Sequence, residues 1–136
     1  MTVPGLMTGF SHVQLLVTDL RASEQWYTTA LGLTRYAADE EKGYVALRHD
    51  PSGVVIVLTP HARSDIADED GTAATLDHLA FAVPDGAVLE AWAAHLTEAG
   101  IAHPGIVSEL GKPSLQLRDP DGISIELVAP APRPAP

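Results

Sequence analysis

The sequence predicts an α+β fold of two β-α-β-β-β modules, and two internal duplications carry that prediction. The stretch Asp119-Pro120-Asp121-Gly122-Ile123-Ser124-Ile125-Glu126-Leu127 has an earlier copy, Asp50-Pro51-Ser52-Gly53-Val54-Val55-Ile56-Val57-Leu58. In each, proline fixes φ and glycine supplies a positive one, so a tight turn leads into an alternating strand. The second duplication matches Ser11-His12-Val13-Gln14-Leu15-Leu16-Val17-Thr18-Asp19 with Asp77-His78-Leu79-Ala80-Phe81-Ala82-Val83-Pro84-Asp85. A histidine opens an apolar strand, an aspartate follows seven residues later, and a helical pattern then runs to a glycine. The histidines lie 66 residues apart and the turns 69, so the two units have nearly equal length. The copies part company at one place that matters for chemistry: Val57 stands where the second unit has Glu126.

Taken in order, residues 10–17 read as a strand, and Thr18 or Asp19 caps a helix over 20–31 that Gly32 ends. Strands are expected near 33–38, 43–49 and 53–59. The polar, acidic run after them reads as a connection. A strand over 76–83 then leads into a helix capped by Asp85, whose Val88, Leu89, Trp92, Leu96 and Ala99 form one apolar face before Gly100. Strands near 104–107, 113–118 and 123–128 complete the second unit. The expected layout is a single domain over 1–136, with module one at 8–60, a connection at 61–75, module two at 76–129 and a proline-rich tail at 130–136. Alternating prolines in the tail deny it both helix and sheet ladder.

Composition narrows the function classes. A formal net charge of −10 argues against nucleic acid and anionic membrane as partners, because both select basic surfaces. The absence of cysteine removes disulfides, thiolate metal sites and cysteine nucleophiles together. No stretch reaches the length of a membrane span and Met1 to Phe10 has no signal-peptide pattern, so the expected location is the cytoplasm.

Period-two alternation assigns faces. Val13, Leu15 and Val17 oppose His12, Gln14 and Leu16; Leu79, Phe81 and Val83 oppose His78, Ala80 and Ala82; Ile125 and Leu127 oppose Ser124, Glu126 and Val128. Each sheet is thus expected to have an apolar face for its helix and a more polar opposite face. His12, His78 and Glu126 all lie on the polar faces. Two imidazoles and a carboxylate suit one divalent Fe, Mn, Zn, Co or Ni ion and leave positions open for substrate. The remaining histidines, His49, His61, His95 and His103, lack this symmetry and read as surface residues, with His61 kept in reserve. Trp26 and Tyr27 read as core.

The paired modules, with His12, His78 and the Asp-Pro-Asp-Gly turn that leads to Glu126, resemble the vicinal oxygen chelate superfamily. It includes glyoxalase I, methylmalonyl-CoA epimerase, extradiol dioxygenases, fosfomycin-resistance enzymes and bleomycin-binding proteins. The resemblance spans residues 8 to 129 and implies curved sheets, or half-barrels, around a metal cavity. It also implies a small-molecule substrate and a homodimer in which modules complete one another. The four ligand positions it implies are His12, Val57, His78 and Glu126. Glyoxalase-like and epimerase-like members usually have a ligand at all four, often a glutamate that doubles as a base where this chain has Val57, which can neither bind metal nor take a proton. Bleomycin-binding members generally lack the ligand set.

The remaining His/His/Glu pattern resembles the extradiol dioxygenases and the fosfomycin-modifying enzymes. The former bring a catecholate and dioxygen together on Fe(II); the latter use the metal as a Lewis acid within a strongly basic pocket. Only Arg48, Lys112 and Arg118 could supply such basicity, and each reads as an ordinary surface charge. Dioxygenases usually add an acid-base histidine and a tyrosine, for which Tyr44 and His61 are substitutes without an assigned role. The expected function is therefore a metal-dependent enzyme with dioxygenase-like chemistry. Glyoxalase-like isomerisation comes next, then a fosfomycin-type transferase or a non-catalytic drug- or metabolite-binding protein. Gln14, Ala46, Val57, Ala80 and Gln116 are expected to form the pocket floor.

Overall fold

The computed structural model describes residues 10–60, 76, 78–109 and 111–132. The chain runs β1 (Val13–Val17), α1 (Leu20–Leu31), β2 (Thr34–Asp39), β3 (Tyr44–His49), β4 (Val54–Pro60), β5 (His78–Ala82), α2 (Gly86–Glu98), β6 (Ile106–Glu109), β7 (Lys112–Arg118) and β8 (Ser124–Val128). The expected α+β architecture is present as two four-stranded mixed sheets, ordered β1-β4-β3-β2 and β5-β8-β7-β6. In both, the first strand of the unit lies at one edge and runs parallel to the last strand beside it, and the other pairs are antiparallel. The expected connection at 61–75 and the last four residues of the tail lie outside the described residues.

Local chemistry sets the helix ends. The Asp19 carboxylate accepts the Ala22 amide at 3.0 Å and the Asp85 carboxylate accepts the Val88 amide at 2.9 Å, each satisfying a donor the first turn leaves open. Gly32 closes α1 at φ 74°. In α2 the cap is Ala99, and Gly100 takes the left-handed φ of 76° one residue further on. Of the strands, β1 is shorter than expected because its pairing with β4 starts only at Val13, opposite Ile56. β6 begins two residues late, since Pro104 has no amide to give a ladder and Gly105 takes a left-handed φ of 87°.

The helix-side faces of both sheets bury a single core. Leu15, Val17, Leu47, Ile56 and Leu58 from the first unit join Leu89, Leu96, Leu115, Leu117, Ile125 and Leu127 from the second. The two helices meet at equivalent places in the duplication. His95 Nε2 lies 3.1 Å from the Thr29 carbonyl, and these positions are 66 residues apart, the same spacing as the paired histidines. His95 therefore sits beside Trp92, their rings edge to face at 5.9 Å, and links the helices. His95 is exposed, whereas His103 is half-buried, bonded to Thr97 Oγ1 and the Ala93 carbonyl, and ties the end of α2 to the chain before β6.

Candidate functional site

The open face of the second sheet holds two of the three expected metal ligands. His78 is the first residue of β5 and lies in register with Ser124 of β8; Glu126 lies in register with Ala80 on one side and Gln116 of β7 on the other. Residues two apart on adjacent strands share a face, so His78 and Glu126 are diagonal neighbours. Their Nε2 and Oε2 atoms are 3.7 Å apart, with the histidine side chain 47% exposed and the glutamate 11%. The other carboxylate oxygen, Oε1, accepts the Gln116 amide at 3.3 Å. One oxygen is thus engaged within the sheet while the other faces the imidazole.

This pair fits a divalent ion. Two donors each about 2.1 Å from a common ion stand roughly 3 to 3.5 Å apart. The 3.7 Å gap is close to that spacing and too long for a direct hydrogen bond. An imidazole nitrogen beside a carboxylate oxygen is also the donor chemistry that first-row divalent metals accept.

The third expected ligand is elsewhere. His12 stands one residue before β1, exposed, with Nδ1 3.1 Å from the Ser11 hydroxyl. Among the described residues, no three His, Cys, Asp or Glu side chains gather closely enough to hold a metal. Within one chain, His12 therefore does not join His78 and Glu126. The first sheet explains its own silence. Gln14, Val57 and Ala46 occupy the register positions that Ala80, Glu126 and Gln116 fill in the second. The Gln14 amide donates to Thr59 Oγ1 at 2.6 Å, and Ala46 is buried.

The surroundings are mixed. A cavity of about 660 Å³ lies alongside, lined by Trp26, the 100–104 segment, Gln116, Leu117, Arg118 and Ser124. Arg118 is held there by donating from Nη1 to the Gly122 carbonyl at 3.0 Å. Tyr44, at the start of β3, is half-buried. His61 lies outside the described residues.

Sequence reasoning placed Gln116 only in the pocket floor, and its bond to Glu126 is an added role. The pairing could have been read from the Asp119–Gly122 hairpin, whose register sets residues 116 and 126 opposite one another. The hairpin itself is anchored by Asp119, whose Oδ1 accepts the backbone amides of Asp121 and Ile123 at 2.9 and 2.8 Å.

Two units, each a helix on a four-stranded mixed sheet, with His78 and Glu126 on the open face of the second, define the class of paired β-α-β-β-β proteins. The chain belongs to the Glyoxalase/Bleomycin resistance protein/Dioxygenase superfamily, whose family model matches residues 9–127. Proteins of this superfamily bind small molecules, and many use a divalent metal. Among sequence relatives, the chain is 27% identical over 127 residues to the provisionally named ring-cleaving dioxygenase MhqA of Bacillus subtilis (strain 168). That alignment covers 91% of this chain and 40% of the relative, so the chain spans about two fifths of MhqA.

Among solved structures, it is similar to a glyoxylase/bleomycin resistance protein/dioxygenase domain from Frankia sp. EAN1pec. The identity is 31% and the TM-score 0.73, over 90% of this chain and 92% of the other. A lactoylglutathione lyase from Agrobacterium tumefaciens shares the fold at 22% identity and a TM-score of 0.74, over 91% and 95% of the two chains. No described helix is long and apolar enough to cross a membrane.

Proposed function

We propose that this chain is a divalent-metal-dependent enzyme with dioxygenase-like chemistry on a small substrate that presents two neighbouring oxygens. The observation that carries the reading is the His78 Nε2 to Glu126 Oε2 approach of 3.7 Å on an open sheet face. A bound divalent ion would supply Lewis-acid chelation of the substrate oxygens and, as iron, a place to bring dioxygen beside them. His78 and Glu126 would hold the ion, and Glu126, nearly buried, would face it from the sheet wall, where water screens their attraction less than at the surface.

The separation of His12 from this pair supports a homodimer in which His12 of a second copy completes the ligand set. Val57, opposite Gln14, offers no proton acceptor at the position where isomerases of this superfamily usually have one. That favours oxidation or cleavage over glyoxalase-like isomerisation, and the similarity to MhqA points the same way.

The test is elemental analysis of freshly purified protein and of protein reconstituted anaerobically with Fe(II), wild type beside Glu126→Ala. The expected result is about one ion per chain in the wild type and none in the variant. Iron with an oxygen-sensitive spectrum would support dioxygenase chemistry, whereas nickel or zinc retained through purification would replace it with isomerase or transferase chemistry. No bound metal under either condition would overturn the enzyme reading in favour of a metabolite-binding pocket.

A further inference from the structure

We infer that Gln116 is a positioning residue for the metal centre, fixing the Glu126 carboxylate so that only its Oε2 is presented to an ion. The inference rests on the metal-site reading of His78 and Glu126 and adds a residue to it. Glu126 sits on a strand, where its side chain could otherwise turn across the open face, and Gln116 is its direct cross-strand neighbour. The Gln116 amide engages Oε1 at 3.3 Å, on the opposite oxygen from the one 3.7 Å from His78. A carboxylate with one oxygen engaged in this way binds through the other and has less rotamer freedom to lose when it does.

The internal duplication supplies a control for this pairing. In the first unit the same cross-strand position pairs Ala46 with Val57. The unit without the carboxylate therefore also lacks an amide at the position of Gln116, and its Gln14 amide, on the other neighbouring strand, donates to Thr59 Oγ1 instead. A glutamine kept only to fill space on the open face would have no reason to follow the glutamate. Ala46 is buried at its place, so the first sheet closes over the position with a small apolar side chain instead.

The experiment measures Co(II) affinity by chelator competition, together with the Co(II) d–d spectrum, in wild type, Gln116→Met, Gln116→Asn and Glu126→Ala. Methionine keeps the length and bulk of glutamine without the donor; asparagine keeps the amide but withdraws it by one methylene. Melting temperatures of the metal-free proteins accompany each measurement, so that loss of fold is separated from loss of binding. The expected result is an affinity loss of about 10- to 100-fold in Gln116→Met. A changed d–d spectrum, as Oε1 becomes free to join Oε2, and near-complete loss of binding in Glu126→Ala are expected with it.

If Gln116→Met does not fold, Gln116→Asn is expected to give the same loss through a smaller change in shape. Loss in Glu126→Ala with unchanged affinity and spectrum in the folded Gln116 variants would overturn the positioning role while the metal site stands. Unchanged binding in Glu126→Ala would overturn both.

Discussion

The Tyr27 hydroxyl donates to Asp119 Oδ2 at 2.8 Å, and both side chains are buried. Tyr27 is on the first unit's helix and Asp119 opens the second unit's turn, so this bond joins the duplicated halves. Asp121 of the same turn extends the joint, accepting the Thr18 amide at 3.0 Å and the Ser23 hydroxyl at 3.4 Å. Among the described residues there is no equivalent clasp on the other side of the duplication, where Ala93 occupies the position 66 residues after Tyr27 and Asp50 is exposed.

Removing the phenolic oxygen should expose the worth of this joint. Tyr27→Phe keeps the ring and leaves a buried carboxylate oxygen one partner short, a loss of about 1 to 3 kcal/mol. Urea unfolding should show a lower midpoint with an unchanged m-value. A change within about 0.5 kcal/mol would place the hydroxyl among ordinary surface groups and refute the clasp.

The same bond sets an alkaline limit. Burial first, then the charges and hydrogen bond of Asp119 and the charge of Asp121, push the Tyr27 phenol far above the ordinary tyrosine range. In the unfolded chain it titrates near about 10. The folded form therefore keeps a proton that the unfolded form loses. The associated stability is fully present below about pH 10 and falls by about 1.4 kcal/mol for each further pH unit. Of the three tyrosines, one should resist ionisation at 295 nm until the protein unfolds. Tyr27→Phe should remove both that delayed step and its share of the alkaline slope. A wild-type titration with all three ionising before unfolding would contradict this account.

What could be read from the sequence was what adjacent residues decide. Asp19, Asp85 and Gly32 act within one helical turn of themselves, and the Asp-Pro-x-Gly turns act within four residues, so helix ends and the order of elements along the chain followed from the sequence, whereas the order of strands within each sheet did not. Alternation also put Glu126, His78 and Gln14 on the open faces, because period two needs no knowledge of partners. The clasp between Tyr27 and Asp119, 92 residues apart, was invisible because a buried tyrosine in a helix reads as packing until its acceptor is known. The distance between His12 and the His78–Glu126 pair was equally hidden. Which open face meets which is decided by docking of whole sheets, and a repeat in sequence says only that the faces are alike.

Ser114 offers a test of how the second sheet's open face is sealed. Its hydroxyl oxygen is fully buried with no hydrogen-bond partner among the described residues, although it lies on the face of Gln116 and Glu126. An unpaired buried hydroxyl costs about 1 to 3 kcal/mol, so Ser114→Ala should leave stability unchanged or raise it, by up to about 1 kcal/mol. The midpoint of thermal or urea unfolding reads this directly. A clear loss would mean that the hydroxyl has a partner in solution, such as an ordered water in the sheet's concavity.

Subunit mixing tests the proposed division of the metal site between two copies. His12→Ala and His78→Ala each damage every site of their own homodimer. If His12 of one copy serves His78 and Glu126 of the other, a heterodimer of the two variants has one site with both lesions and one with neither. Refolding the variants together from denaturant at equal concentration should then restore metal binding to about one quarter of the wild-type stoichiometry, since half the dimers are mixed and each has one intact site of two. Each variant refolded alone should bind none. If all ligands come from one chain, every site in every mixture contains a lesion and mixing restores nothing. Restoration near one quarter assigns the site to the dimer; its absence, in a mixture shown by mass to contain heterodimers, returns the ligand set to a single chain and requires His12 to be replaced in it.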